Sequence, residues 1–189
     1  MNLPIGLTIT RIVAAPLLIL FLISSSRVHA LIAAAIFILA SVTDWLDGLL
    51  ARRRNQVTTL GTLLDPIADK LLVAAALVSL LTIDKIDAWI VVVIIGRELA
   101  VTGLRAVAAG VGVIVPASRL AKWKTVSQYL AVTMLIVEKG FGSPPFHVAA
   151  TGVLWVALAL TIVSAADYFY RFFRKADYRA IVPEEDRWS

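Results

Sequence analysis

The sequence predicts an all-α polytopic membrane protein with six transmembrane helices, a short N-terminal interfacial segment and both termini in the cytoplasm. Three observations support this fold class. The chain is 60% hydrophobic with a mean hydropathy of +0.87, and 16% of its residues are charged, whereas soluble domains carry about 25%. Six apolar segments follow one another, and most approach the roughly 20 residues that cross a bilayer. Basic residues concentrate in alternate connections between these segments, a pattern typical of the cytoplasmic side of a membrane.

The predicted elements follow in chain order. Residues 1–10 form the interfacial segment, and the spans lie at about residues 12–26, 28–51, 60–83, 87–109, 120–138 and 146–172. Pro16 predicts a kink or tilt in the first span. Pro66 is best tolerated in a first helical turn, which predicts that the third helix begins close to Asp65.

Positive charge sets the predicted orientation. The second and fourth connections and the tail carry most of the basic residues, which are Arg52, Arg53, Arg54, Arg119, Lys122, Lys124, Arg171, Arg174, Lys175 and Arg179. This bias places the tail, these connections and the N-terminus in the cytoplasm. Residues 1–174 then form one membrane domain, and residues 175–189 form a polar, loosely ordered tail.

The net charge of +5 is explained by this bias and by contact with anionic phosphates, so we expect no nucleic acid partner. The chain has no cysteine, which excludes disulfides and thiol chemistry. We find no cleavable signal and no transit signal. The expected location is therefore a bacterial inner membrane.

Four aspartates stand inside the apolar segments: Asp44 and Asp47 in the second, Asp65 and Asp69 in the third. A carboxylate at membrane depth is costly unless it faces water, another charge or a cation. The i,i+3 and i,i+4 spacings put each pair on one helix face. The short connection predicts an antiparallel hairpin in which Asp47 faces Asp65 and Asp44 faces Asp69. Four such carboxylates suit two Mg²⁺ or Mn²⁺ ions, which favour in-line displacement at phosphorus.

Small residues accompany the aspartates. Gly48 and Ala51 leave the carboxylate face without bulk, so a base or a phosphate can approach the backbone. For Gly61, close helix packing is an equal alternative. For the aspartates, the alternatives are the cation path of a transporter and a structural set of salt bridges. Arg52 favours a nucleotide over a cation path, because a fixed positive charge repels a permeating cation.

The combined pattern resembles that of the CDP-alcohol phosphotransferase family at every position. It reads Asp44-x2-Asp47-Gly48-x2-Ala51-Arg52-x8-Gly61-x3-Asp65-x3-Asp69. The resemblance continues through Gly96-Arg97-Glu98-Leu99 and the basic stretch 117–125, and it covers roughly residues 2–135. The residues that flank the motif are most similar to family members that use glycerol 3-phosphate as the acceptor.

The resemblance implies transfer of a phosphatidyl group from CDP-diacylglycerol to an alcohol, with release of CMP. The four aspartates would hold the Mg²⁺ or Mn²⁺ ions, and Asp69 would also take the proton of the acceptor hydroxyl. Members of the family are commonly dimers, which implies a homodimer here. The residues that would line the CDP-diacylglycerol site are Gly48, Ala51, Arg52, Thr58 and Gly61.

Glycerol 3-phosphate is a dianion and requires fixed cations. The candidates are Arg97, Arg119, Lys122 and Lys124. Arg97 is favoured because Glu98 points elsewhere on the helix and is not expected to be its partner. Contact with lipid headgroups is the alternative for the other three. The alternative acceptors are phosphatidylglycerol, serine and an inositol phosphate.

Other polar groups are expected at the opposite membrane face. His29 and His147 should be interfacial, and the turn at residues 84–87 should be solvated.

Overall fold

The computed structural model describes the backbone of residues 3–54, 59–110, 116 and 118–181, and the side chains of residues 9–43, 67, 68, 70–110, 116 and 118–174. These residues form six α-helices and no strand, which confirms the all-α class. The helices are α1 (Leu3–Ile23), α2 (Arg27–Arg54), α3 (Thr59–Thr82), α4 (Ala88–Gly110), α5 (Arg119–Phe141) and α6 (Pro144–Ile181).

Two helices begin earlier than the sequence predicts. α1 runs without a break from Leu3 through Pro16, so the described part of the predicted interfacial segment is its first two turns. α3 begins at Thr59, which places Pro66 in its interior. The prediction that the helix starts near Asp65 is therefore wrong. Membrane helices tolerate an interior proline because neighbouring groups satisfy the carbonyl that it leaves unpaired.

The last helix is longer than the predicted span. α6 continues to Ile181, past residue 174, where the sequence placed the start of the tail. Residues 182–189 lie outside the described part of the chain. The boundary between domain and tail stays a prediction.

All six helices contribute to one apolar core. α1 packs on α2 and α3, α5 packs on α2 and α6, and α4 packs on α6, whereas α3 touches α4 and α5 less extensively. Among the described residues, α1 contacts both α2 and α3, which are not themselves one of the closely packed pairs. Alanines such as Ala33, Ala76 and Ala131 are buried at these contacts, and their small side chains let helix backbones approach closely.

The outer surface of the bundle is apolar. Each helix exposes large aliphatic side chains, among them Leu20, Leu39, Val78, Val92, Leu130 and Val156. Apolar surface on every helix is typical of a protein that contacts lipid. In the described residues, one helix is long and apolar enough by composition to cross a membrane, Pro144–Arg174. Shorter apolar stretches occupy Ile9–Ile23, Arg27–Thr43 and Lys70–Thr82.

Candidate active site

The backbone at all four aspartates is helical. Asp44 and Asp47 lie in the last turns of α2, and Asp65 and Asp69 lie in the first half of α3. Both pairs therefore occupy helical positions, and their i,i+3 and i,i+4 spacings place the two residues of each pair on one helix face. The side chains lie outside the described residues, so the carboxylate cage and the facing of the two pairs stay predictions.

The predicted CDP-diacylglycerol site falls on the same two helix ends. Gly48, Ala51 and Arg52 have helical backbone in α2, and Gly61 has helical backbone in α3. Their side-chain environments lie outside the described residues, and Thr58 lies outside them entirely.

A buried ionic cluster joins α4, α5 and α6. Its centre is Glu98, whose Oε1 accepts a hydrogen bond from Arg97 Nη1 at 2.9 Å and another from Lys124 Nζ. Arg97 also donates from Nη2 to Ser164 Oγ at 2.8 Å. Ser164 in turn donates to the Thr161 carbonyl at 3.1 Å. The cluster therefore links three helices through one carboxylate oxygen and one guanidinium.

The pairing of Arg97 with Glu98 corrects the sequence prediction. Adjacent residues leave a helix in different directions, which led us to expect no contact between them. The guanidinium lies on a long, flexible stem, and Lys124 on the neighbouring helix draws the carboxylate to the same place. The two side chains therefore meet although their Cβ atoms diverge.

The cations of this cluster are shielded from solvent. The side chain of Lys124 is 4% exposed and that of Arg97 is 10% exposed, whereas Glu98 is 22% exposed. Arg97 Nε has no hydrogen-bond partner among the described residues. Among the described residues, two buried cations share one carboxylate, and this excess of positive charge suits an anion.

A cavity of about 500 Å³ opens beside this cluster, between α3, α4 and α5. Lys70, Glu98 and Lys124 supply its charged groups. Its other lining residues are Ile67, Leu71, Val73, Ala74, Ile94, Ile95, Leu99, Thr102, Thr125, Gln128 and Tyr129. Lys70 directly follows Asp69 in α3, so the cavity adjoins the helical turn that carries the candidate metal ligands.

The structure separates the four predicted acceptor residues into two groups. Arg97 and Lys124 meet at Glu98, whereas Arg119 and Lys122 are exposed on the first turns of α5. Ser118 caps this helix by accepting a hydrogen bond from the Ala121 backbone nitrogen at 3.2 Å. Helical periodicity explains the separation: residues 119 and 122 share a face, whereas residue 124 faces the interior.

Sequence reasoning missed two members of the cluster. Glu98 was detectable, because an Arg-Glu pair inside an apolar segment requires partners. Ser164 gave no signal, because single serines are common in membrane helices.

A second ionic cluster lies at the other end of the bundle, where the first, third and fifth connections meet. Glu138 is buried, and its Oε1 accepts from Lys85 Nζ at 2.7 Å and lies 2.9 Å from His147 Nδ1. Lys139 donates to the carbonyls of Leu22 and Ser24. Asp84 and Asp87 are exposed, as expected for a solvated turn, whereas Lys85 is partly buried and anchors the turn to α5.

Comparison with known proteins identifies the family. A sequence model described as CDP-alcohol phosphatidyltransferase matches residues 1–163. A CDP-diacylglycerol–glycerol-3-phosphate 3-phosphatidyltransferase of Bacillus subtilis (strain 168) is 44% identical over 184 residues, which cover 89% of this chain and 93% of the relative. A protein of the same name from Rickettsia typhi is 43% identical, covering 89% and 95%. A probable phosphatidylglycerophosphate synthase of Mycobacterium tuberculosis (strain CDC 1551 / Oshkosh) is 40% identical, covering 92% and 82%. The resemblance that the aspartate pattern indicated is confirmed, and this chain belongs to the CDP-alcohol phosphatidyltransferase family.

Proposed function

We propose that this chain transfers a phosphatidyl group from CDP-diacylglycerol to glycerol 3-phosphate, giving phosphatidylglycerophosphate and CMP. The observation that carries this proposal is the aspartate pattern on the ends of α2 and α3, present in a chain whose relatives, at 43–44% identity, are named for this reaction.

The aspartates fit a divalent metal by their chemistry. Carboxylate oxygens are the donors that Mg²⁺ and Mn²⁺ prefer, and Asp44, Asp47, Asp65 and Asp69 offer four such groups on two helices. Two bound ions would neutralise the pyrophosphate of the donor lipid and polarise the phosphorus under attack.

The protein's own residues perform the remaining steps. Arg52 neutralises charge on the diphosphate, and the small residues Gly48, Ala51 and Gly61, with Thr58, leave room for the cytidine and phosphates. Asp69 takes the proton of the acceptor hydroxyl, and that oxygen then bonds to the phosphorus that bears the diacylglycerol. The bond from this phosphorus to the bridging oxygen breaks, and CMP leaves with that oxygen.

The acceptor phosphate binds to the cluster on α4 and α5. Lys124 faces the cavity and supplies a buried ammonium, while Arg119 and Lys122 attract the dianion from the exposed end of α5. Arg97 is held by Glu98 and Ser164, so it contributes mainly through its charge. Among the described residues of this cluster, the excess of cations over anions favours a phosphorylated acceptor over a neutral one.

The enzyme would act at the cytoplasmic face of a bacterial inner membrane. Six spans with cytoplasmic termini follow from the positive-inside pattern, and the apolar surface on all six helices is consistent with this topology. Homodimer formation stays a prediction of the family resemblance.

The decisive experiment measures CMP release by purified protein with CDP-diacylglycerol and Mg²⁺. Glycerol 3-phosphate, phosphatidylglycerol, serine and inositol phosphate are supplied separately. We expect release with glycerol 3-phosphate alone. Turnover with a different acceptor would reassign the substrate, and divalent-cation flux into vesicles without any CMP release would favour a transporter.

A further inference from the structure

We infer that Glu98 is a positioning residue of the acceptor site, which holds Lys124 charged and facing the cavity so that its ammonium binds the acceptor phosphate. This inference rests on the proposed function, and it assigns a role to an acidic residue in a site otherwise built for an anion.

The geometry gives Glu98 control over Lys124. The Lys124 side chain is 4% exposed, and among the described residues its hydrogen bond goes to Glu98 Oε1. A buried ammonium without a compensating charge is costly. The ion pair with Glu98 supplies that charge and holds the ammonium at the wall of the cavity.

Glu98 is itself fixed from the other side. Arg97 Nη1 donates to the same carboxylate oxygen at 2.9 Å, and Arg97 is tied to α6 through Ser164 at 2.8 Å. A chain of contacts thus runs from α6 through Arg97 and Glu98 to Lys124 and the cavity. Arg97 and Glu98 belong to α4, Lys124 to α5 and Ser164 to α6. The position of the Lys124 ammonium therefore depends on the packing of three helices.

The charge balance leaves the site able to bind an anion. One carboxylate oxygen serves two cations, and Lys70 on α3 lines the same cavity within electrostatic range of Glu98. Glu98 therefore lowers the repulsion between Arg97 and Lys124, and among the described residues it does not cancel their combined charge. A phosphate that enters the cavity finds the Lys124 ammonium already in position. This reduces the free-energy cost of ordering that side chain on binding.

The test replaces Glu98 by Gln, which keeps a hydrogen-bond acceptor and removes the charge. We expect Glu98→Gln to raise the KM for glycerol 3-phosphate by at least about tenfold, the size of a lost charge-assisted hydrogen bond. The KM for CDP-diacylglycerol should stay unchanged. Glu98→Asp keeps the charge and should recover part of the loss. An unchanged acceptor KM, or an equal rise of both KM values, overturns the inference.

A double-mutant cycle separates action through Lys124 from a general structural role. Lys124→Met should raise the acceptor KM, and adding Glu98→Gln to Lys124→Met should then change it little, because the group that Glu98 positions is gone. If the fold-changes in acceptor KM of the two single variants multiply in the double variant, Glu98 does not act through Lys124.

Glu138→Gln is the matched control. Glu138 is also a buried carboxylate that accepts from a lysine, but it lies on α5 about 20 Å along the helix from Lys124. It should leave the acceptor KM unchanged, and a rise equal to that of Glu98→Gln overturns the inference. Wild-type protein is assayed first: no CMP release with glycerol 3-phosphate refutes the proposed function, whereas normal wild-type release with an unaffected Glu98→Gln variant refutes only this inference.

Discussion

Ser164→Ala should destabilise the protein far more than Ser79→Ala, although both substitutions remove one buried hydroxyl. Ser164 is 0% exposed and Ser79 is 1% exposed. Ser79 only donates to the carbonyl of Ala75 in its own helix at 2.8 Å. Ser164 accepts from the Arg97 guanidinium at 2.8 Å, so its loss leaves a buried cation with one partner fewer.

The expected magnitudes follow from the partners. A hydrogen bond to a charged group contributes about 1.5–3 kcal/mol, whereas a neutral one contributes about 0.5–1.5 kcal/mol. Arg97 Nε already lacks a partner among the described residues, so Ser164→Ala would leave two guanidinium nitrogens unpaired. The Ala75 carbonyl, in contrast, keeps its backbone hydrogen bond when Ser79 is removed. We expect about 2 kcal/mol for Ser164→Ala and less than about 1 kcal/mol for Ser79→Ala.

Thermal unfolding in detergent micelles measures the difference. For a chain of this size, 1 kcal/mol corresponds to about 2–4 °C in the unfolding midpoint. Ser164→Ala should therefore lower the midpoint by about 4–8 °C and Ser79→Ala by less than about 4 °C. Equal shifts in the two variants would refute the reasoning, because they would show that the contact with Arg97 adds nothing to a buried serine.

Three further predictions concern the end of α5 and the catalytic aspartates. Gly142→Ala should destabilise the protein in thermal unfolding by about 1–3 kcal/mol, because its Cβ would lie 2.8 Å from the Glu138 carbonyl oxygen. A Cβ at Gly152 would meet nothing within 4 Å, so Gly152→Ala should raise stability by about 0.5–1 kcal/mol. A Gly142→Ala variant more stable than the Gly152→Ala variant would contradict the packing at Gly142. Asp69→Asn should lower kcat by about 10²–10⁴-fold while metal binding, measured by calorimetry, is retained; near-full turnover would remove the base assignment. Chelation should abolish CMP release, and Mg²⁺ or Mn²⁺ should restore it, whereas persistent release after chelation would refute the metal site.

The fold was predictable because hydropathy governs a membrane protein. Six apolar segments became six helices, since each segment satisfies its own backbone hydrogen bonds only as a helix. The residues at which the helices begin and end were less predictable. Pro66 suggested a helix start by the rule for soluble proteins, but α3 begins at Thr59 because a membrane helix tolerates an interior proline.

The family was predictable because the aspartate motif that identifies it is local in sequence. The aspartate spacing acts within two helices, and the family that it indicated is confirmed. The partners of Arg97 were not predictable, because they depend on which helices pack together. Glu98 accepts from both Arg97 and Lys124 of α5, and Ser164 reaches Arg97 from α6. Such contacts arise from tertiary packing, which the periodicity of a single helix does not reveal.

The two ends of α5 show how charge balance distinguishes a binding site from a structural one. Near its end, Glu138 accepts from Lys85, and Lys139 donates to two backbone carbonyls, so each cation has a partner within the protein. Near its start, Lys124 and Arg97 share one oxygen of Glu98 as their counter-ion among the described residues, and a cavity opens beside them. Buried cations in excess of their counter-ions are costly, and an arriving phosphate removes that cost. Among the described residues, the cluster at the start of α5 is therefore the better candidate for binding the anionic substrate.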